Sequence, residues 1–217
     1  MKIGFLSDAH GNYHAFLKAI SVFQEEDISE IYFLGDAIGY FDSPEVVFYL
    51  QQHKIISLRG NHEDMVINKA VPEEKEKFYR LKKHYNSSIV SIISSWNESV
   101  LVTINEKRIY MVHGSVEEPV WGYTYDDAKI NVKQDYDLVV CGATHRPFIK
   151  KIDDKILANI GSCGFPRDIG SKGSCGVYDA INHDFKIIRF DISDSIGELR
   201  LTHEGLDKAI YAVWERN

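Results

Sequence analysis

The chain has 217 residues, of which 44% are hydrophobic and 26% charged, the make-up of an ordinary globular protein with enough length for a sizeable core. Twenty-five basic against 32 acidic side chains leave a net charge of −7, so the surface as a whole lacks the positive footprint that duplex nucleic acid requires. No run approaches the ~20 apolar residues that span a bilayer, which argues against a membrane partner. Asp8 and His10 interrupt the first apolar stretch too early for a secretory leader. The three cysteines, Cys141, Cys163 and Cys175, contain no CxxC pair and leave one thiol over in any disulfide scheme. They read as reduced thiols in a cytoplasmic protein.

In chain order, residues 2–6 form a buried apolar strand. Residues 12–26 follow as a helix with Phe16, Leu17, Ile20 and Phe23 on one face. A second strand at 31–34 precedes a helix start at Asp42-Ser43-Pro44-Glu45, where proline sits in the first turn behind a capping residue. A third strand occupies 55–58. This β-α-β-α-β order predicts a parallel sheet covered by helices on both faces. Residues 63–96 read as helical, first polar and then apolar at Ile89, Ile92, Ile93 and Trp96. Two strands at 100–103 and 108–112 flank Asn105-Glu106-Lys107 as a hairpin. A loop and short helix rich in Tyr and Asp around 123–127 lead to a strand at 138–141. A hairpin at 148–152 and 155–158 turns at Asp153-Asp154, a glycine-rich loop covers 161–176, and strands follow at 177–179 and 185–190. Leu206, Ile210 and Val213 predict a closing helix. One domain over residues 1–217 is the economical reading, with the C-terminal strands expected in a second sheet.

Five apolar runs end in the same kind of polar group. The endings are Ser7-Asp8-Ala9-His10, Gly35-Asp36, Gly60-Asn61-His62-Glu63, His113-Gly114 and Gly142-Ala143-Thr144-His145. Open α/β sheets place ligands at the C-terminal ends of their strands. In extended chain, residues two apart point the same way, so Asp8 and His10 can grip one ion. Mixed Asp, His and Asn donors without thiolate suit Mn²⁺, Fe, Co²⁺ or Zn²⁺. A lone strand-end histidine is more often structural, but five such endings on one sheet converge.

These motifs, in this order, resemble the calcineurin-like metallophosphoesterases from residue 1 to about residue 168. Gly39-Tyr40, Asn159-Ile160-Gly161-Ser162 and Pro166-Arg167-Asp168 resemble their small bacterial and archaeal phosphatase and phosphodiesterase group. The resemblance implies an α/β fold, a four-layer α/β/β/α sandwich of two mixed sheets flanked by helices. It also implies two divalent metal ions, Mn²⁺ the foremost choice with Fe, Zn²⁺, Co²⁺ or Ni²⁺ as substitutes. By the same resemblance Asp8, His10 and His145 hold the first ion, Asp36 bridges, and Asn61 and His113 hold the second. A hydroxide held between them attacks phosphorus, with His62 as hydrogen-bond donor or general acid. Asn12 and Glu63 read as supporting or helix-start residues.

Two departures from the family pattern matter. The last motif of the family reads Gly-His-Thr-His, and its first histidine is a ligand of the second metal; here that position is Ala143. The loss predicts a weakened, partly occupied second site. It fits a tolerated loss, a disabling one that leaves a binding or scaffold protein, or a deliberate replacement. At the second motif, Gly39 and Tyr40 stand where protein Ser/Thr phosphatases of the superfamily carry an orienting Asp and a phosphate-binding Arg. A phosphoprotein substrate is therefore the third choice. Arg146 and Arg167 are the guanidinium groups best suited to phosphate. Trp121, Tyr123 and Tyr125 are available for stacking or core packing. The expected partner is a small phosphomonoester or phosphodiester, a nucleotide among the candidates. The oligomeric state is left open.

Overall fold

The computed structural model describes residues 1–217 except 42, 82–84, 130–134 and 204, and the side chains of Glu74 and Lys77 also lie outside the described set. Two mixed five-stranded sheets are flanked by helices, the architecture expected. The first sheet has the order β10 (Asp184–Asp191), β9 (Lys172–Asp179), β1 (Lys2–Leu6), β2 (Glu30–Phe33), β3 (Ile56–Ser57). β1, β2 and β3 run parallel, with Phe5 opposite Tyr32, whereas β9 runs antiparallel to β1 and to β10. The second sheet has the order β4 (Ser99–Ile104), β5 (Lys107–Val112), β6 (Leu138–Cys141), β8 (Lys155–Asn159), β7 (Phe148–Ile152).

Strand alternation divides the core in two. Ile3, Phe5, Tyr32 and Leu34 face the second sheet and meet Ile109, Met111, Leu138 and Val140. Leu6 and Phe33 point the other way, into a cluster with the apolar faces of the helices. Phe16, Ile20 and Phe23 of α1 (Tyr13–Glu25) enter that cluster, as do Val46, Val47 and Leu50 of α2 (Glu45–Gln52). So do Met65 of α3 (Asn61–Ile67), Ile89 and Ile93 of α5 (Ser87–Ser94) and Ile210 of α7 (Lys208–Trp214). One face of the first sheet therefore carries helices and the other a sheet, not helices on both. A fully apolar strand asks for cover on each face, and its pattern does not say which element supplies it.

Six further readings change. β9 and β10 join the first sheet beside β1 instead of entering a second one. β9 starts at Lys172, so the glycine-rich stretch ends earlier than expected; Gly173 and Gly176 are strand residues packed against the rings of Phe190 and Phe185. A helix α6 (Ser193–Thr202) precedes the expected closing helix α7. Residues 123–129 carry no helix, only a turn at 126–127, and residues 130–134 lie outside the described set. The 63–96 stretch divides into α3, α4 (Glu73–Tyr79) and α5. The N-cap of α2 is Pro44, and the expected capping residue Asp42 is not among those described. Among the described residues no helix is long and apolar enough to cross a membrane.

Candidate metal centre

Asp8, His10, Asp36, His62, His113 and His145 are all buried, and they meet where β1, β2, β5 and β6 end. Their convergence does not come from strand alternation. Asp8 (φ 57°), His10 (φ 51°), Asp36 (φ 58°) and His145 (φ 59°) all adopt the left-handed conformation, which costs non-glycine residues energy and clusters at functional sites. Backbone bonds between the turns hold them there: Asp8 N–H donates to Gly35 O (2.9 Å) and His10 N–H to Asp36 O (3.0 Å). The side chains are aimed by paired tight turns, a geometry the sequence pattern of β-runs does not announce.

Three of the histidines are oriented alike. Nδ1 of His10 donates to Ile38 O, that of His113 to Leu34 O and that of His145 to Phe165 O. A carbonyl can only accept, so each Nδ1 carries the proton and each Nε2 is turned into the centre. This is how metal-bound imidazoles are commonly held. His10 Nε2 and His145 Nε2 stand 3.1 Å apart. Asp8 Oδ1 lies 3.6 Å from the first and 3.2 Å from the second, and no hydrogen bond reaches this buried oxygen. Asp36 Oδ2 is 3.7 Å from His10 Nε2 and 3.5 Å from His113 Nε2. Asn61 Oδ1 lies 3.2 Å from His113 Nε2. The ligand atoms come together in three overlapping groups: Asp8 with His10 and His145, His10 with Asp36 and His62, and Asp8 with Asp36 and His113. Two facing imidazole lone pairs and an orphaned carboxylate oxygen need a cation, so the residues present fit one or more divalent ions.

Charge inside the cluster follows the same logic. Burial works against ionisation of Asp36, yet His113 and His62 hold its carboxyl below the usual carboxylate range. Asp8 is also held low against its burial, chiefly by His145. His113, which burial alone would lower, is raised to about 10 by Asp36. Burial pushes His62 down to about 3, and burial followed by the charge of Arg167 pushes His145 down to about 4.

The supporting residues behave as read. Asn12 caps α1 by accepting from Ala15 N–H and donates to Gly164 O. Glu63 accepts from the N–H groups of Asp36, Ala37, Ile38 and Gly60, locking the Asp36 turn to the start of α3. Its burial and the charge of Asp36 raise it to about 7. His62 N–H donates to Asp36 Oδ1 (2.9 Å). Glycine is required at Gly60, where a Cβ would fall 2.1 Å from that same oxygen.

His62 itself lines the cleft. Its Nδ1 is buried without a hydrogen-bond partner and lies against Gly39 (φ +98°), where a Cβ would fall 2.1 Å from it. Glycine therefore occupies the place from which an acidic side chain could orient this ring. Ala143 (φ 62°) also lines the cleft, and its N–H donates to Asp8 Oδ2 (3.1 Å). Cys141, of the same parity as Ala143, is buried with its thiol pushed up to about 12 by that burial, and it donates to Ala158 O. It does not replace an imidazole. His53 stacks on Tyr49 at the end of α2, and His84 lies outside the described residues.

The cleft above the cluster encloses about 720 Å³. Both Arg146 and Arg167 line it, Arg146 exposed and Arg167 half-buried. The aromatic loop divides: Tyr123 and Tyr125 line the cleft as a stacked, half-exposed pair, while Trp121 donates to Asp64 and secures the loop to α3. Tyr40, Phe78, Tyr79 and Arg216 also line it, and sequence reasoning assigned none of them a role. Tyr40 had been within reach, since Gly39-Tyr40 already stood out as a motif. Arg216 comes from the far end of the chain, and no local pattern places it here.

A fold of two mixed sheets with Asp, His and Asn donors gathered at its strand ends defines a metallophosphoesterase scaffold. The chain belongs to the calcineurin-like phosphoesterase superfamily, whose domain matches residues 1–182. It is 27% identical over 211 residues to the uncharacterized protein MJ0912 of Methanocaldococcus jannaschii, covering 87% of each chain. It is 26% identical over 164 residues to phosphodiesterase MJ0936 of the same organism, covering 75% of this chain and 84% of that one. A metallophosphoesterase from Sphaerobacter thermophilus shares the fold with a TM-score of 0.80 at 23% identity, covering 99% of this chain and 98% of the other.

Proposed function

We propose that the protein is a metal-dependent phosphoesterase that hydrolyses a small phosphomonoester or phosphodiester, with nucleotides among the substrates to be tried, in the cytoplasm. The observation that carries this reading is the donor set around Asp36: three imidazole Nε2 atoms and two carboxylates, all buried, with the half-buried Asn61 amide oxygen beside them. Asp8, His10 and His145 would hold one ion, Asn61 and His113 a second, and Asp36 would be shared, with Mn²⁺ the first choice and Fe, Zn²⁺, Co²⁺ or Ni²⁺ as alternatives. Such ions supply a water activated near neutral pH and neutralise charge on the phosphoryl group.

The chain's own groups do the rest. His62 faces the cleft beside Asp36 and is the donor toward the phosphate and the leaving oxygen. Arg146 and Arg167 bring positive charge to the same cleft. A second ion would lack one imidazole because residue 143 is alanine, and its affinity would fall accordingly. Similarity to phosphodiesterase MJ0936 and to phosphodiesterase YfcE of Escherichia coli, 23% identical over 190 residues, supports diester substrates. The phosphoprotein reading is weaker, because Gly39 stands where His62 Nδ1 would need an orienting carboxylate.

Ala143 favours a second reading, a metallophosphoesterase-fold binding or scaffold protein without hydrolysis. One assay separates the two: hydrolysis of p-nitrophenyl phosphate and bis(p-nitrophenyl) phosphate with Mn²⁺, for the wild type and the Ala143→His variant. Turnover in either form supports the hydrolase. No turnover in both, across Mn²⁺, Co²⁺, Ni²⁺ and Zn²⁺, overturns it in favour of the scaffold.

A further inference from the structure

Arg167 and Tyr40 come from distant parts of the chain and meet in the wall of the cleft. The guanidinium Nη2 donates to the phenol oxygen of Tyr40 over 3.0 Å. Arg167 is attached to the metal-centre turn through its backbone, its N–H donating to His145 O (3.1 Å). The neighbouring carboxylate does not neutralise it, because Asp168 is engaged by the fork of Arg189 at 2.5 and 3.2 Å. Among the described residues no carboxylate lies within ion-pair distance of Arg167. A cation lining a cleft without a counter-charge is a site for an anion.

Tyr40 is held with unusual firmness. Its backbone is left-handed (φ 51°) and its N–H donates to Tyr79 O. The ring stands edge-on to His10 with centroids 4.6 Å apart and against Phe165 at 4.7 Å. The side chain is 1% exposed, yet it forms part of the cleft wall. Its oxygen accepts from Arg167, so its own proton points elsewhere, and among the described residues that proton has no acceptor.

We propose that Tyr40 and Arg167 act as one phosphate-binding unit. The guanidinium donates to two non-bridging oxygens, and the phenol, turned outward by the bond it accepts, donates to a third group on the same phosphate. The proposal rests on the phosphoesterase reading and names the residues that would recognise the phosphoryl group apart from the metal ligands. A rigid phenol also fixes the fork, so the pair is coupled rather than additive.

The test is calorimetric titration of inorganic phosphate into the Mn²⁺-supplemented protein, alongside hydrolysis of bis(p-nitrophenyl) phosphate by the wild type. Tyr40→Phe should weaken phosphate binding about tenfold and Arg167→Ala about tenfold to a hundredfold, the range for hydrogen bonds to charged groups. The double variant should lose less than the product of the two. Arg167→Lys should recover little, because an ammonium lacks the fork. Guanidinium at sub-denaturing concentration should restore binding to Arg167→Ala but less well when Tyr40 is also Phe, a response that a purely structural role would not give. Unchanged phosphate affinity in both single variants, or losses that simply multiply, would overturn the coupled unit while leaving hydrolysis by the wild type to support the enzyme. Loss of phosphate binding in the variants with no hydrolysis by the wild type would sustain the unit and remove the phosphoesterase.

Discussion

His10 Nε2 and His145 Nε2 face each other across 3.1 Å, with both Nδ1 atoms already committed to carbonyl oxygens. Lone pair opposes lone pair unless a cation intervenes. A divalent ion should therefore stabilise the fold by mass action, by about 2.7 kcal/mol at one hundred times its Kd. Thermal unfolding with and without Mn²⁺ or Zn²⁺ checks this, and the rise in Tm should saturate. Asp8→Asn removes the carboxylate charge from the same group and should abolish most of the rise. An equal rise in that variant would place the bound ion elsewhere.

Restoring the imidazole at residue 143 should change stoichiometry as well as rate. Ala143 lines the cleft beside Thr144 and His145, and its N–H reaches Asp8 Oδ2, so a histidine there adds an imidazole to the cleft wall beside the cluster. Even losses around a ligand commonly cost 10–100-fold in affinity, so the gain on restoration should be at least about tenfold. Elemental analysis after dialysis should move from near one ion per chain toward two. No change in metal content would show that the vacancy lies outside the coordination sphere.

Much of this was legible in the sequence. Asp8, Asp36, Asn61, His62, His113 and His145 each follow an apolar run, but the strand ends that meet come from both sheets, β1, β2 and β3 of the first and β5 and β6 of the second, not from one sheet as the pattern suggested. What could not be read was how they meet. Left-handed turns at Asp8, His10 and Asp36 are tied together by backbone bonds between the turns after β1 and β2, and that at His145 accepts from Arg167 N–H, bonds that belong to no local pattern. The placement of β9 beside β1 escaped for a related reason. An antiparallel partner 170 residues away looks the same in sequence as a strand of another sheet. Arg216 reaches the cleft from the far end of the chain, where neither charge nor spacing distinguishes it from a solvated side chain.

His62 should affect turnover rather than binding or folding. It sits against Gly39 with Nδ1 unpartnered and its ring facing the cleft. His62→Ala should lower kcat by about 10²–10⁴, the usual share of acid–base assistance, with metal content unchanged. Gly39→Ala should reproduce part of that loss, since the added methyl meets the ring at 2.1 Å and the φ of +98° disfavours any side chain. Steady-state kinetics with paired metal analysis reads both. A fall in metal content as large as the fall in kcat would make His62 structural.

Glu63→Gln keeps the shape of the side chain and breaks its bonding. Both carboxylate oxygens accept from pairs of backbone N–H groups: Oε1 from Ala37 and Ile38, Oε2 from Asp36 and Gly60. An amide presents N–H to one of those pairs, leaving two buried donors unpaired. Each costs about 1–3 kcal/mol, so urea unfolding should show a loss of about 2–6 kcal/mol. A change below about 0.5 kcal/mol, the range of an ordinary surface substitution, would mean that the Asp36 turn holds without Glu63.

Above pH 6.5, where the lowered imidazoles of His62 and His145 are neutral in both states, the metal-free protein should lose stability as pH rises, opposite to the behaviour of most carboxylate-rich sites. His113 titrates at about 10 when folded, against 6.5 in the unfolded chain, because the charge of Asp36 outweighs the effect of burial. A raised folded value means that the folded state holds a proton the unfolded state has released. This contribution is complete below pH 6.5 and is lost as pH climbs through 10. Between those limits one group gives a slope of about 1.4 kcal/mol per pH unit. Glu63, raised to about 7 from 4.5, adds the same sign at lower pH. Asp8 and Asp36 are held low, so their contributions disappear only on strong acidification. Urea unfolding in a chelator at pH 8 and 10 should therefore show falling stability. With Mn²⁺ bound the slope should flatten, since the ion takes over the role of the His113 proton. An equal slope in both forms would mean that the proton and the ion do not share that nitrogen.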